Sequence, residues 1–275
     1  MNKIYTSLFA LLLCCAMLFA LTACGSGDTT DTQPQTENSA VETTPVEATL
    51  PGPTTEEGGV YTPGAVAESS AVDASYFDDA AFVGDSVSLK LSYYAAATGE
   101  LGNAQFFTAG SLGAGNSLWE VSDESVHPSY QGTKMLVEDC IAYSGVSKVY
   151  IMLGMNDLGL YGLEDTITNY EELVNRIKTQ APDVQIIIQS MTPMAATSTI
   201  TGEDLNNENI KVYNGRLSEL CENNGWIFVD VASVMYDTDG ISLNPDFCSD
   251  PEDMGVHFTE AGCAQWIKYL TTHTP

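Results

Sequence analysis

Four short segments of this chain carry groups suited to acyl transfer, and they follow one another in a fixed order. They are Gly84-Asp85-Ser86, Gly113, Gly154-Met155-Asn156-Asp157 and His257. A serine hydroxyl becomes an effective nucleophile when an adjacent base accepts its proton. An imidazole suits that task, because its ordinary pKa lies near working pH. His257 is the favoured base of the three histidines, since His127 precedes Pro128 in a loop and His273 lies at the frayed end. A glycine N–H can approach a substrate oxygen closely, and the side-chain amide of Asn156 adds a second donor. The N–H of Ser86 would be a third. Removing one such donor typically costs about 2.7–4 kcal/mol of transition-state stabilisation. Taken singly, each segment also has a structural reading: Ser86 as a helix N-cap, Asn156-Asp157 as a turn, His257 as a cap.

The elements that must position these groups are legible as alternating apolar runs and helical patterns. Strands are expected at Ala80–Val83, Gln105–Thr108, Lys148–Leu153, Val184–Gln189 and Trp226–Val231. Helices are expected at Val87–Ala97, from Met135 to Tyr143, at Glu164–Gln180, Leu205–Asn223 and Thr259–Thr271, with Gly225 as a stop signal. Short buried strands alternating with amphipathic helices imply βαβ units around a parallel sheet. The expected fold class is α/β: a three-layer α/β/α arrangement with a flavodoxin-like five-stranded parallel sheet. In such folds ligands bind beyond the carboxyl ends of the strands. Ser86, Gly113 and Asn156 each lie just past the end of an expected strand, so the topology places them on one rim.

The ordered set of Gly84-Asp85-Ser86, Gly113, Asn156 and His257 resembles the four blocks of the SGNH (GDSL-type) hydrolases, a family of esterases, lipases and carbohydrate deacetylases. The resemblance runs from about Asp79 to the last helix. It implies Ser86 as nucleophile, His257 as base, and Gly113 with Asn156 as the oxyanion hole. Gly113 is preferred to Gly110 because its placement relative to the strand resembles the second block. The segment Gly255-Val256-His257-Phe258-Thr259-Glu260-Ala261-Gly262 resembles the closing block, with one departure. The acid that orients the histidine usually stands three residues before it, where this chain has Met254. Asp253, four before, is the expected orienter; another carboxylate or a backbone carbonyl are the alternatives. Met155, Leu158 and Tyr161 could wall the pocket or pack in the core.

Ahead of this domain, residues 1–23 read as a signal peptide, with Lys3, an apolar run from Leu8 to Leu21, and Leu21-Thr22-Ala23-Cys24. That ending resembles a bacterial lipobox, which implies lipidation of Cys24 and an anchor on the outer face of the membrane. Residues 24–75 are rich in Thr, Glu, Pro, Ser and Gly and hold no Lys or Arg, a composition that reads as a disordered tether. Residues 76–275 are the expected hydrolase domain.

The whole chain has 37 acidic against 9 basic residues. Nucleic acid and anionic headgroups require clustered Lys and Arg, so neither is expected as a partner. Cys140, Cys221, Cys248 and Cys263 fit no zinc spacing. A Cys248–Cys263 disulfide is open in an exported protein. No metal cluster, phosphate loop or dinucleotide fingerprint is visible, so no cofactor is expected. The partners expected are an ester substrate, small or polymeric, and the membrane through the anchor, with the domain a monomer. The function implied is hydrolysis of short acyl esters of carbohydrates outside the cell. The alternatives are an O-acyltransferase on the same machinery and a non-catalytic glycan-binding lipoprotein.

Overall fold

The computed structural model of the chain describes residues 54–56 and 59–275. The leader and Cys24 lie outside the described residues, as does the tether up to residue 53. The centre is a five-stranded, all-parallel sheet: β1 (Ala80–Gly84), β2 (Gln105–Thr108), β3 (Lys148–Met152), β4 (Gln185–Gln189) and β5 (Ile227–Val229). Its order is β2-β1-β3-β4-β5. The chain order therefore reverses direction across the sheet between β1 and β3, the point beyond whose carboxyl ends ligands bind in such folds.

The strands are those the apolar runs predict, because a strand covered on both faces is continuously hydrophobic. All five residues of β1 are buried, as are Val149–Met152 of β3 and Ile186–Gln189 of β4. Aromatic rings lock the first three strands at one level. Phe82 stacks on Tyr150 with centroids 4.8 Å apart and on Phe106 at 5.1 Å.

Around the sheet lie α1 (Ser86–Thr98), a four-residue α2 (Ala114–Ser117), α3 (Val137–Ser144), α4 (Leu158–Gln180), α5 (Asn207–Asn224) and α6 (Glu260–Thr272). The expected start of α4 at Glu164 is late. A first turn, Leu158–Tyr161, precedes a break at Gly162, whose φ of +71° only a glycine adopts easily. Two tyrosine hydroxyls brace β3 as it ends: Tyr170 on α4 donates to the Ile151 carbonyl at 3.1 Å, and Tyr213 on α5 to that of Leu153 at 3.0 Å. On α6, Trp266 Nε1 donates to the buried Gln189 Oε1 at 2.8 Å, fixing the helix that His257 precedes to the end of β4.

One boundary needs correction. Residues 62–75, read as the end of a disordered tether, form a strap along the sheet edge and α6. Val66 N–H donates to the Phe228 carbonyl at 2.9 Å, Ser69 N–H to Thr272 at 2.7 Å and Val72 N–H to Thr271 at 2.9 Å. The Ser218 hydroxyl donates to the Pro63 carbonyl at 2.7 Å, and Thr62 donates to the buried Asp230. These are mostly backbone contacts, to which composition is blind. Cys140, Cys221, Cys248 and Cys263 are all buried free thiols, so the 248–263 pair is not bridged.

Candidate active site

The first group is built by the turn that leaves β1. Asp85 caps α1, its Oδ1 accepting the Val87 N–H at 2.9 Å, and this puts Ser86 at the first position of the helix. A Cβ on Gly84 would lie 2.0 Å from Ser88 Oγ and 2.9 Å from the Met152 carbonyl, so only glycine lets the helix turn this tightly against β3. The Asp85 carboxyl is 2 % exposed. Burial pushes its pKa up to about 7, with the nearby Asp157 charge adding to the rise, while the Val87 N–H and His257 oppose it.

The second group comes from the far end of the domain. His257 Nε2 lies 2.9 Å from Ser86 Oγ, and its Nδ1 lies 2.7 Å from Asp250 Oδ2. Asp250 Oδ1 accepts the N–H groups of Val256 and His257, each at 3.1 Å. Burial acts to raise the Asp250 pKa, but the hydrogen bonds and charge of His257 outweigh it and hold the carboxyl below its ordinary range. Asp253, the expected orienter, is exposed and does not touch the imidazole. The chain after Asp250 folds into a closed turn, with the N–H groups of Asp253 and Gly255 both donating to the Asp250 carbonyl at 3.0 and 2.9 Å. Gly255 closes that turn with a φ of +69°. Residues 251–254 are thereby looped out, and the acid seven positions before the histidine meets it instead of the one four before. The turn is stitched to the loop after β4: Ala195 N–H to Gly255 O and Thr199 N–H to Asp253 O at 2.8 Å each, and Ser198 Oγ to Met254 O at 2.6 Å.

The third group surrounds Gly113 and Asn156. Asn156 Nδ2 donates to the Leu112 carbonyl at 3.2 Å and faces Asp85 Oδ2 at 3.4 Å, which brings the ends of β1, β2 and β3 into one cluster. The fully buried Asp157 reaches across to α2, accepting Ala114 N–H at 3.0 Å and Gly115 N–H at 2.9 Å. A Cβ on Gly113 would stand 2.6 Å from that carboxylate, so Asp157 is the physical reason for the glycine. In this conformation the Gly113 N–H donates to Asn116 Oδ1 at 2.8 Å, while Asn116 Nδ2 donates to the Ser111 carbonyl at 2.8 Å. A substrate oxygen would share or displace the Asn116 acceptor. Gly110, the other candidate, is exposed with nothing packed on its Cβ direction.

Met155 and Leu158 are buried in the core, and the Tyr161 ring covers Gly115, so the pocket-wall reading of these three gives way to packing. Leu160, 74 % exposed beside them, went unremarked in the sequence. Asn116 carries no mark in the sequence, and Asp250 enters there only as one of the alternative carboxylates. The Asp250-Pro251 step and Gly255 bracket a turn, and that bracket is the signal that could have found Asp250. No group of three or more His, Cys, Asp or Glu that could hold a metal occurs among the described residues.

Residues 142–265 match the family model of the GDSL-like lipases and acylhydrolases, a span that includes Asn156, Asp250 and His257. Over these residues the chain is similar to that family, which supports a serine esterase. Its fold is shared with a protein from Bacteroides fragilis assigned as an acylhydrolase: 20% identity, 70% of this chain and 83% of that one covered, TM-score 0.54. A GDSL-like lipase from Bacteroides thetaiotaomicron shares 17% identity over 69% of this chain and 84% of its own, with a TM-score of 0.52. No curated protein matches the chain in sequence.

Proposed function

We propose that this chain hydrolyses carboxylic esters through an acyl-enzyme on Ser86. The observation that carries the reading is the unbroken hydrogen-bonded series Asp250–His257–Ser86, with steps of 2.7 and 2.9 Å. His257 Nε2 takes the Ser86 proton as Oγ attacks the acyl carbon. Asp250 holds the Nδ1 proton and stabilises the imidazolium that forms. The tetrahedral oxyanion is met by the Ser86 N–H at the start of α1, where the helix dipole favours negative charge, and by the Asn156 amide and Gly113 N–H. His257 then protonates the departing alcohol, and water repeats the sequence to release the acid.

For the substrate, we propose short acyl groups, acetyl above all, on carbohydrates outside the cell. The leader and the lipobox-like Leu21-Thr22-Ala23-Cys24 support that location, with a lipid on Cys24 tethering the domain to the membrane.

The test uses residues 25–275 with p-nitrophenyl esters from acetate to octanoate and with an O-acetylated polysaccharide. Turnover favouring acetate, acetate release from the polymer, and loss of at least a thousandfold in Ser86→Ala with the fold retained are the expected results. Turnover that persists in Ser86→Ala would overturn the mechanism; a preference for octanoate would overturn the substrate.

A further inference from the structure

The triad carboxylate has a neighbour that the reaction scheme leaves unused. The Cys248 thiol lies 3.5 Å from Asp250 Oδ1, within range of an S–H···O hydrogen bond. This is the oxygen that already accepts two backbone N–H groups, while Oδ2 serves His257. Cys248 is held in place by backbone pairing. It bridges Phe258 in antiparallel fashion, flanked by Ser249 N–H to His257 O at 2.8 Å and Thr259 N–H to Phe247 O at 2.9 Å. That ladder joins the segment before Asp250 to the segment carrying His257. The thiol is 6 % exposed. We propose that Cys248 is a positioning residue of the esterase: its S–H is the third donor on Asp250 Oδ1 and fixes the carboxylate plane so that Oδ2 meets His257 Nδ1.

The proposal rests on the reading of Asp250 as the triad acid. Three donors on one oxygen leave the carboxylate a single orientation, whereas two donors from consecutive N–H groups lie to one side and allow it to swing. The thiol is suited to donate because it keeps its proton. Burial raises its pKa, and the adjacent Asp250 charge raises it further. A thiolate in its place would repel Asp250. The bland alternative is that Cys248 only fills space, as buried free cysteines commonly do.

Cys248→Ser, Cys248→Ala and Cys248→Val separate the two. Serine keeps a donor on a somewhat shorter arm, alanine removes it, and valine fills the space without one. With p-nitrophenyl acetate we expect kcat to fall about fivefold in the Ala and Val variants with KM unchanged, the size of effect that one lost ordinary hydrogen bond produces. Freed of one donor, the carboxylate becomes easier to protonate, so the acid limb of the kcat/KM profile should move to higher pH in both. The Ser variant should keep kcat and the limb near wild type even if its buried hydroxyl lowers the melting temperature. The proton on His257 Nδ1, followed by NMR, gives a second readout that needs no turnover: its resonance should shift in Ala and Val and hold in Ser. A chain with no esterase activity but this NMR pattern would sink the proposed function and leave the role of Cys248 standing. Ser, Ala and Val variants with the same acid limb and the same Nδ1 resonance as wild type would overturn it.

Discussion

At the scale of single residues, the decisive finding is which carboxylate the histidine meets. Asp250→Asn should lower kcat by about 10⁴, the loss expected when the orienting acid of such a triad becomes an amide. Asp253→Asn should stay within about twofold of wild type, because its exposed side chain makes no contact with His257. A steady-state comparison of the two on one ester decides between them. The pH dependence of stability adds an independent check. Asp250 has its folded pKa lowered, so its contribution is fully present above the unfolded carboxylate range and is lost as pH falls through the depressed folded value. Asp250→Asn should therefore remove part of the acid-induced loss of stability seen by denaturant unfolding below about pH 4. Counting along the chain led to Ser86, Asn156 and His257, which the structure places in one cluster, because each follows directly from the end of a strand or precedes a helix. It failed at Asp253 because sequence distance equals spatial distance only where the chain runs straight, and here it turns back through the Asp250 carbonyl.

At the scale of elements, the rim is held by two buried acids whose positions the sequence marks and whose tasks it does not. Asp157 ties the end of β3 to the start of α2, and Asp85 ties the end of β1 to Asn156. Gly113→Ala should be destabilising and nearly inactive, since the added methyl meets the Asp157 carboxylate; melting temperature and turnover should fall together. The double variant Gly113→Ala/Asp157→Ala should recover part of the stability if this contact is the cause, and none if it is not. Asp85 gives a dependence on pH of the opposite sign to Asp250. Its pKa rises from 3.8 to about 7 on folding. Across that interval the unfolded chain binds fewer protons there than the folded one, so this group makes stability fall as pH rises from about 4 to about 7 and adds nothing above. Urea unfolding of Asp85→Asn at pH 5 and pH 8 should show that slope diminished. The four-residue α2 and the first turn of α4 are too short to leave a periodic pattern, which is why the sheet was legible in the sequence and the frame of the oxyanion loop was not.

At the scale of the molecule, the strap of residues 62–75 covers an edge strand that would otherwise present unpaired backbone groups to solvent. A chain starting at residue 62 should melt like the longer chain, whereas one starting at residue 76 should melt about 5–10 °C lower and aggregate more readily, as expected from losing several backbone hydrogen bonds in a domain of this size. Equal melting temperatures would return the strap to the tether. Reading residues 76–275 as the domain missed it because the strap is composed like the stretch before it, and pairs through groups that every residue carries.

The closed turn at residues 251–254 has a bearing on how this enzyme can diverge. Asp250 and Gly255 are joined by a 2.9 Å backbone hydrogen bond. The residues between them are a detour whose length leaves the separation of acid and base untouched. Insertions, deletions and swaps can accumulate there with the chemistry intact, on a segment pinned at its far side to residues 195–199. The triad and this turn are thus encoded in adjoining stretches that can be edited separately, and a library confined to residues 251–254 would vary one while conserving the other.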